Sequence, residues 1–157
     1  MLQSTITNYH FNIEIMNEVS PFHLAIPVDN LELCRNFYAS ILGCKEGRSS
    51  SHWVDFNFFG HQLVIHQRPE NESAPKKIFN KVDDHAVPVP HFGVVLEWEQ
   101  WEALKERLNH KKIYFVIEPY IRFKGQKGEQ ATMFFLDPEG NALEFKSFKN
   151  IENLFAK

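Results

Sequence analysis

Two histidines, His23 and His91, occupy matching positions in two similar, strand-like segments of the chain. The segments cover residues 21–26 (PFHLAI) and residues 90–96 (PHFGVVL), and superimposing the histidines aligns large apolar residues at alternate positions. Because successive side chains of a strand point to opposite faces, each histidine shares a face with a small residue, away from the apolar face. The pattern indicates an internal repeat that presents one imidazole per module.

A third segment, residues 137–146 (DPEGNALEFK), reads as a tight turn followed by a strand whose alternation places Glu144 opposite the apolar face. Two imidazoles and one carboxylate, each on the inward face of its own strand, form the ligand set of an open divalent-metal site. A bound metal also gives a buried carboxylate a physical reason to exist. The predicted ligands are therefore His23, His91 and Glu144, and the competing interpretation pairs Glu144 with a base such as Lys146.

The composition excludes several classes of protein. The chain has 157 residues, of which 43% are hydrophobic and 24% charged, as expected for one soluble globular domain. The net charge is −3 and no basic stripe occurs, which argues against nucleic-acid binding. No apolar stretch approaches the roughly 20 residues that cross a bilayer. Cys34 and Cys44 lack paired metal spacing, so we expect reduced thiols in a cytoplasmic protein. The metal-site hypothesis adds a small molecule as the expected partner.

The order of elements predicts a duplicated module within one domain. The predicted parts are an N-terminal extension (1–19), a domain (20–150) with module one (21–67), a linker loop (68–89) and module two (90–148), and a C-terminal tail (151–157). Each module reads as a strand, a helix and three strands. The helices are predicted at residues 31–42, with Asp29 or Asn30 as N-cap, and at 97–108. The later strands are predicted at residues 53–59, 61–66, 113–117, 130–136 and 142–148.

From residue 21 to residue 148 the sequence resembles the vicinal oxygen chelate superfamily, which includes glyoxalase I, extradiol dioxygenases, and the fosfomycin and bleomycin resistance proteins. The resemblance rests on the two histidine strands and on residues 135–145 (FLDPEGNALEF). The run from residue 120 to residue 148 looks like a subgroup described as predicted extradiol dioxygenases. The resemblance implies an α+β fold of two βαβββ modules whose mixed sheets curl around a divalent metal.

In this family the ligands come from the first and last strands of each module. Carried over, they are His23 from module one, and His91 and Glu144 from module two. The fourth position falls on Val64, which cannot bind a metal, so the sequence departs from the four-ligand pattern of glyoxalase I. The remaining two histidines and one carboxylate match the extradiol dioxygenases. Phe134 stands about where those enzymes carry a tyrosine, and this difference weakens the case for ring cleavage.

Further site residues follow from spacing. Gln62 and His66 flank Val64 at intervals of two, so all three are expected to face one cavity. We predict that His66 acts as a general acid or base and that Gln62 and Val64 contact the substrate. Arg122 and Lys124, beside a glycine-containing turn, are predicted to bind a carboxylate or phenolate. The alternative for His66, Arg122 and Lys124 is a solvated position without a function.

The predicted function is that of an extradiol-type dioxygenase acting on a catechol-like substrate. Its metal is predicted to be Fe(II), with Mn(II), Zn(II) or Ni(II) as alternatives. The phenylalanine-rich strands at residues 53–59 and 133–135 are expected to form an apolar wall for an aromatic ring. The rival functions are a glyoxalase-like lyase or isomerase and a metal-free drug-binding resistance protein. Open sheet edges and apolar rims predict a homodimer.

Overall fold

The computed structural model of the protein describes residues 20–73, 78–82 and 85–155, so the predicted N-terminal extension lies outside the described residues. Module one contains β1 (His23–Val28), α1 (Leu31–Asn36), a π-helical turn (Phe37–Ile41), β2 (Lys45–Ser49), β3 (Trp53–Phe58) and β4 (His61–Gln67). The linker contains β5 (Ile78–Val82) and β6 (His85–Val89). Module two contains β7 (His91–Phe92), α2 (Trp98–His110), β8 (Phe115–Arg122), β9 (Gln130–Leu136) and β10 (Ala142–Phe148), followed by a 3₁₀ turn (Ile151–Phe155).

The two modules have the same sheet topology, which confirms the predicted repeat of βαβββ units. The strand orders are β1-β4-β3-β2 in module one and β7-β10-β9-β8 in module two. In each sheet the first strand pairs in parallel with the last strand of its module, and the remaining pairs are antiparallel. The two sheets remain separate and do not close into one barrel.

Local sequence signals explain where the elements begin and end. The Asn30 side chain accepts a hydrogen bond from the Leu33 backbone N–H at 3.0 Å and caps α1. Gly43 follows the π-helical turn at a φ of +78°, a backbone conformation that glycine adopts without strain. Glu97 and Gln100 form a capping box at the start of α2.

The apolar faces of both sheets meet the helices in a shared core. Phe58 of module one lies 5.8 Å from Phe145 of module two, measured between ring centroids. Phe37, beyond α1, lies 6.4 Å from Phe135 of β9. Trp101 of α2 is 2% exposed and belongs to this core. The opposite face of each sheet, which carries the histidines, therefore points away from the core.

Several elements differ from the sequence predictions. The linker was expected to be a loop, but β5 and β6 pair as an antiparallel hairpin. The helix predicted at 31–42 changes to π geometry after Asn36, and the strand predicted at 113–117 begins at Phe115 and continues to Arg122. β2 was not located from the sequence, and the predicted tail forms a 3₁₀ turn as far as Phe155.

The expected phenylalanine wall is mostly wrong, because strand alternation turns Phe56, Phe58 and Phe135 into the core. Phe134 belongs to a separate apolar cluster on the other face of module two. No other described phenylalanine of the two predicted segments does so. Both cysteines are free and buried. Burial raises the pKa of the Cys34 and Cys44 thiols to about 12, which disfavours the reactive thiolate. In the described ranges, no helix is long and apolar enough to span a membrane.

Candidate metal centre

His91 and Glu144 lie side by side on the face of module two that points away from the core. The parallel register pairs His91 with Ala142, so Glu144 follows two positions later on the same face of β10. The histidine Nε2 and the carboxylate Oε2 are 3.3 Å apart. Gly93 permits this proximity, because a Cβ there would lie 1.7 Å from the Glu144 carbonyl oxygen.

The backbone fixes which nitrogen of His91 faces the carboxylate. His91 Nδ1 lies 2.8 Å from the Pro88 carbonyl oxygen. Because a carbonyl oxygen only accepts hydrogen bonds, Nδ1 carries a proton, and Nε2 is the ring nitrogen that faces Glu144. The protonated ring would pair with the carboxylate as an ion pair, and in the neutral ring Nε2 and Oε2 are two electron-pair donors that a cation would bring together. Two ligands each about 2.1 Å from an ion, at right angles, are about 3 Å apart, so the donor pair fits a divalent ion.

Two further side chains hold the Glu144 carboxylate in place. The Thr132 hydroxyl donates to Oε1 at 2.9 Å, and Lys146 Nζ lies 3.3 Å from the same oxygen. The Lys146 contact is the competing interpretation of Glu144 stated above, and it occurs together with the His91 contact. Sequence reasoning missed Thr132, although its place opposite Lys146 in the antiparallel ladder puts it beside Glu144.

An apolar surface surrounds the His91–Glu144 pair. The buried residues of this surface are Val87, Ile117, Phe134 and Ala142, and Tyr120 packs against them. Phe134 pairs with Glu144 across β9 and β10, and its ring centroid lies 5.1 Å from that of His91. Val87 comes from β6, so the linker hairpin contributes to this face. Tyr120 was missed because the register shifts within β8 change which side chains face the site.

His23 lies on the corresponding face of module one. Its Nδ1 is 2.7 Å from Gln62 Oε1, across the parallel pair of β1 and β4. Gln62 Nε2 in turn donates to Asp55 Oδ2 at 3.2 Å. Asp55, buried on β3, was also missed, because nothing in its local sequence separates it from a surface carboxylate.

A single chain does not bring the three predicted metal ligands together. No group of three or more His, Cys, Asp or Glu side chains that could hold an ion occurs within residues 20–73, 78–82 and 85–155. Module two therefore supplies two adjacent potential metal ligands, His91 and Glu144, and His23 of the same chain does not form a three-residue group with them. The register agrees with the predicted equivalence of Val64 and Glu144, since Val64 pairs with Ala25, two positions after His23.

The other predicted site residues are more widely spread. His66 pairs with Pro27 and lies four residues beyond Gln62 along β4, about 13 Å away at the rise of a strand. Arg122 ends β8 opposite Gln130, and Lys124 is exposed in the following turn. The described contacts of His91 and Glu144 do not include His66 or Lys124, and the roles of His66, Arg122 and Lys124 stay predictions.

The turn at residues 137–141 has a structural role. The buried Asp137 carboxylate accepts hydrogen bonds from the Tyr38 hydroxyl at 3.0 Å and from the Asn141 backbone and side-chain amides at 2.7 and 2.8 Å. The neighbouring Glu139 accepts from the Asn30 backbone N–H at 3.1 Å. The turn thus attaches the start of β10 to α1, and it positions the strand that carries Glu144.

Comparison with known proteins agrees with this architecture. Residues 20–145 match the family model of the glyoxalase/bleomycin resistance protein/dioxygenase superfamily. A glyoxalase/bleomycin resistance protein/dioxygenase from Alicyclobacillus acidocaldarius is 29% identical, with a TM-score of 0.70 over 87% of this chain and 96% of its own.

Two more distant structures share the fold. A fosfomycin resistance protein from Listeria monocytogenes is 16% identical, with a TM-score of 0.60 over 87% of this chain and 98% of its own. A lactoylglutathione lyase from Agrobacterium tumefaciens is also 16% identical, with a TM-score of 0.59 over 90% of this chain and 99% of its own. No curated protein matches the sequence.

Proposed function

Because the chain belongs to the glyoxalase/bleomycin resistance protein/dioxygenase superfamily, we propose that it is an enzyme whose divalent ion is held by His23, His91 and Glu144. Members of the superfamily generally use divalent metals. The observation that carries the proposal is the 3.3 Å approach of His91 Nε2 to Glu144 Oε2, which places two potential ligands side by side. An imidazole and a carboxylate suit a first-row divalent ion.

The third ligand is proposed to come from a second copy of the chain. In one chain the faces that carry His23 and His91 both point away from the shared core. A two-fold dimer can place module one of each chain against module two of the other, because an isologous interface repeats every contact twice. Superfamily proteins commonly form dimers and bind small molecules. Each dimer would then hold two sites, each with two histidines and one glutamate.

The residues around this site have distinct tasks. A bound divalent ion would act as a Lewis acid on two adjacent substrate oxygens. Thr132 and the Pro88 carbonyl orient Glu144 and His91, so that both donors are in place before substrate binds. The apolar surface beside them excludes water and accepts the hydrocarbon part of the substrate. Val64 offers no fourth donor, which leaves positions for substrate oxygens.

We propose dioxygenation of a catechol-like substrate with Fe(II) as the reaction of this site. The open ligand set and the apolar surface with Phe134 and Tyr120 support it. A glyoxalase-like isomerase needs a carboxylate in the Val64 position, and the valine there argues against this rival. Oxygen uptake with a catechol panel, measured beside isomerisation of a hemithioacetal, separates the two. Isomerisation without oxygen uptake would refute the dioxygenase.

The shared site is tested by combining two defective chains. His23→Ala and His91→Ala chains, carrying different affinity tags, are co-expressed and the heterodimer is purified. Each homodimer lacks a ligand in both sites, whereas the heterodimer has one intact site and one site lacking two ligands. We therefore expect little Co(II) binding by either homodimer and about half the wild-type stoichiometry in the heterodimer.

His52→Ala is the matched control, since His52 lies in the turn before β3 and should leave Co(II) binding unchanged. Co(II) is a suitable probe because its visible absorption reports the ligands directly. A heterodimer without Co(II) binding, or a His23→Ala homodimer with wild-type binding, would contradict the shared site. A monomer in light scattering at micromolar concentration would contradict it as well.

A further inference from the structure

A continuous chain of polar contacts crosses module one and ends at His23. Arg48 donates from Nε and Nη2 to Asp55 Oδ2, both at 3.2 Å. Gln62 Nε2 donates to the same carboxylate oxygen at 3.2 Å, and Gln62 Oε1 faces His23 Nδ1 at 2.7 Å. The four side chains come from four different strands, so the contact chain extends across the whole sheet.

The strand register accounts for this alignment. Gln62 is directly opposite His23, and Asp55 is diagonal to Gln62 because it pairs with Val64. In β2 the register shifts between Glu46 and Ser49, a bulge that puts two residues opposite Asp55. The bulge turns Arg48 to the face of Asp55, and the other bulge residue is a glycine, which lets β2 approach Asp55 closely.

The donor and acceptor capacity of each group fixes the orientation of the next one, from Asp55 through Gln62 to His23. A carboxylate beside a guanidinium only accepts hydrogen bonds, so the Gln62 amide must turn its NH₂ group towards Asp55. The Gln62 carbonyl oxygen must then face His23, and it too only accepts. His23 Nδ1 therefore carries a proton. In the neutral ring this leaves Nε2 with the lone pair that could bind a metal.

Asp55, which orients the Gln62 amide, is the buried member of this contact chain. The Asp55 side chain is 10% exposed, whereas that of Arg48 is 80% exposed. A carboxylate this deep in the sheet face is costly unless it is hydrogen-bonded, and its partners are the two that connect to His23 and to solvent. Asp55 does not touch His23, so its effect on the imidazole passes through Gln62.

We propose that Asp55 is a positioning residue, which orients the Gln62 amide and thereby fixes the tautomer in which His23 presents Nε2 to the metal. The use of this tautomer for metal binding rests on the proposed function, but the tautomer itself does not. Module two reaches the same result differently, since the Pro88 carbonyl fixes His91. Gln62, predicted from the sequence to bind substrate, is assigned here to the support of His23.

The first measurement is the His23 tautomer in metal-free protein. Long-range proton–nitrogen NMR spectra at about pH 8, where the unperturbed imidazole is neutral, distinguish Nδ1–H from Nε2–H. We expect Nδ1–H in the wild type. Asp55→Leu removes the acceptor and should give a mixture, whereas Asp55→Asn keeps an oxygen for Gln62 and should retain Nδ1–H. Asp29→Leu, which removes an exposed carboxylate at the end of β1, is the matched control.

The second measurement is Co(II) affinity, where loss of a supporting partner typically costs about tenfold or more. We expect this loss of Co(II) affinity in Asp55→Leu and in Gln62→Met. Gln62→Met provides the test if Asp55→Leu fails to fold. Asp55→Asn and Asp29→Leu should bind like the wild type.

An Nε2–H tautomer in the wild type, or an unchanged tautomer in Asp55→Leu, would overturn the proposal. Equal loss in Asp55→Asn and Asp55→Leu would overturn it too, because it would mean that the charge itself is needed. If the tautomer behaves as expected but wild-type protein binds no Co(II), the positioning role stands and the metal centre is refuted.

Discussion

Replacing Gly93 with alanine tests the geometry of the His91–Glu144 pair most directly. An added Cβ would lie 1.7 Å from the Glu144 carbonyl oxygen and 2.6 Å from its carbonyl carbon. Carbon and oxygen atoms that are not bonded need a little over 3 Å, so the segment after β7 must move by about 1.5 Å. Backbone atoms form the obstacle, and no side-chain rotamer change relieves it.

The expected effects follow from that displacement. Overpacking of this kind costs about 1–3 kcal/mol, which lowers the melting temperature by about 3–10 °C in a chain of this size. The shift also separates His91 from Glu144 by far more than the ±0.2 Å that metal coordination tolerates. We expect Co(II) affinity to fall by at least about tenfold, since one ligand is withdrawn.

Thermal unfolding and Co(II) titration measure the two effects separately. Gly60→Ala is the control, because Gly60 has a φ of +92° but nothing within 4 Å of an added Cβ. It should destabilise the protein by about 1–2 kcal/mol through backbone strain without changing Co(II) affinity. If Gly93→Ala keeps both the wild-type melting temperature and the wild-type affinity, the close approach of β7 to β10 is wrong.

Three further predictions concern single residues. Asp137→Asn should lose about 1–3 kcal/mol of stability in urea unfolding, because the buried Tyr38 and Asn141 donors lose a carboxylate acceptor; unchanged stability would contradict the role of the turn. Val64→Glu should raise Co(II) affinity and slow turnover by adding a fourth donor, and faster turnover would argue against an open position there. His91→Ala should abolish oxygen uptake by Fe(II)-loaded protein, and retained uptake would remove His91 from the centre.

The strands of module two that carry the site were predictable from the sequence. Residues 130–136 and 142–148 were predicted as strands with the bounds of β9 and β10 as they occur, because turn residues border both segments. Alternation along the second segment placed Glu144 on the face opposite Leu143. Repetition of the histidine strand similarly indicated two modules with the same order of elements.

Contacts between distant segments were not predictable in this way. Residues 68–89 are rich in prolines and charges, which favour loops, yet Pro88 sits within β6 opposite Phe79. A two-stranded hairpin tolerates a proline that donates no ladder hydrogen bond. A glycine inside a strand often marks a bulge, but β2 itself was not located from the sequence, so neither Arg48 nor its partner Asp55 could be recognised before the register was known.

The two modules have diverged in a way that explains why the proposed site needs both. Module one keeps a histidine on its first strand but has Val64 where module two has Glu144. Two copies of the module-one face would supply two imidazoles without a carboxylate, which is a weak set for a divalent ion. Two copies of the module-two face would supply two imidazoles and two carboxylates, which leave fewer open positions. Only a face of each kind gives three ligands with room for substrate, and a two-fold dimer forms that combination twice.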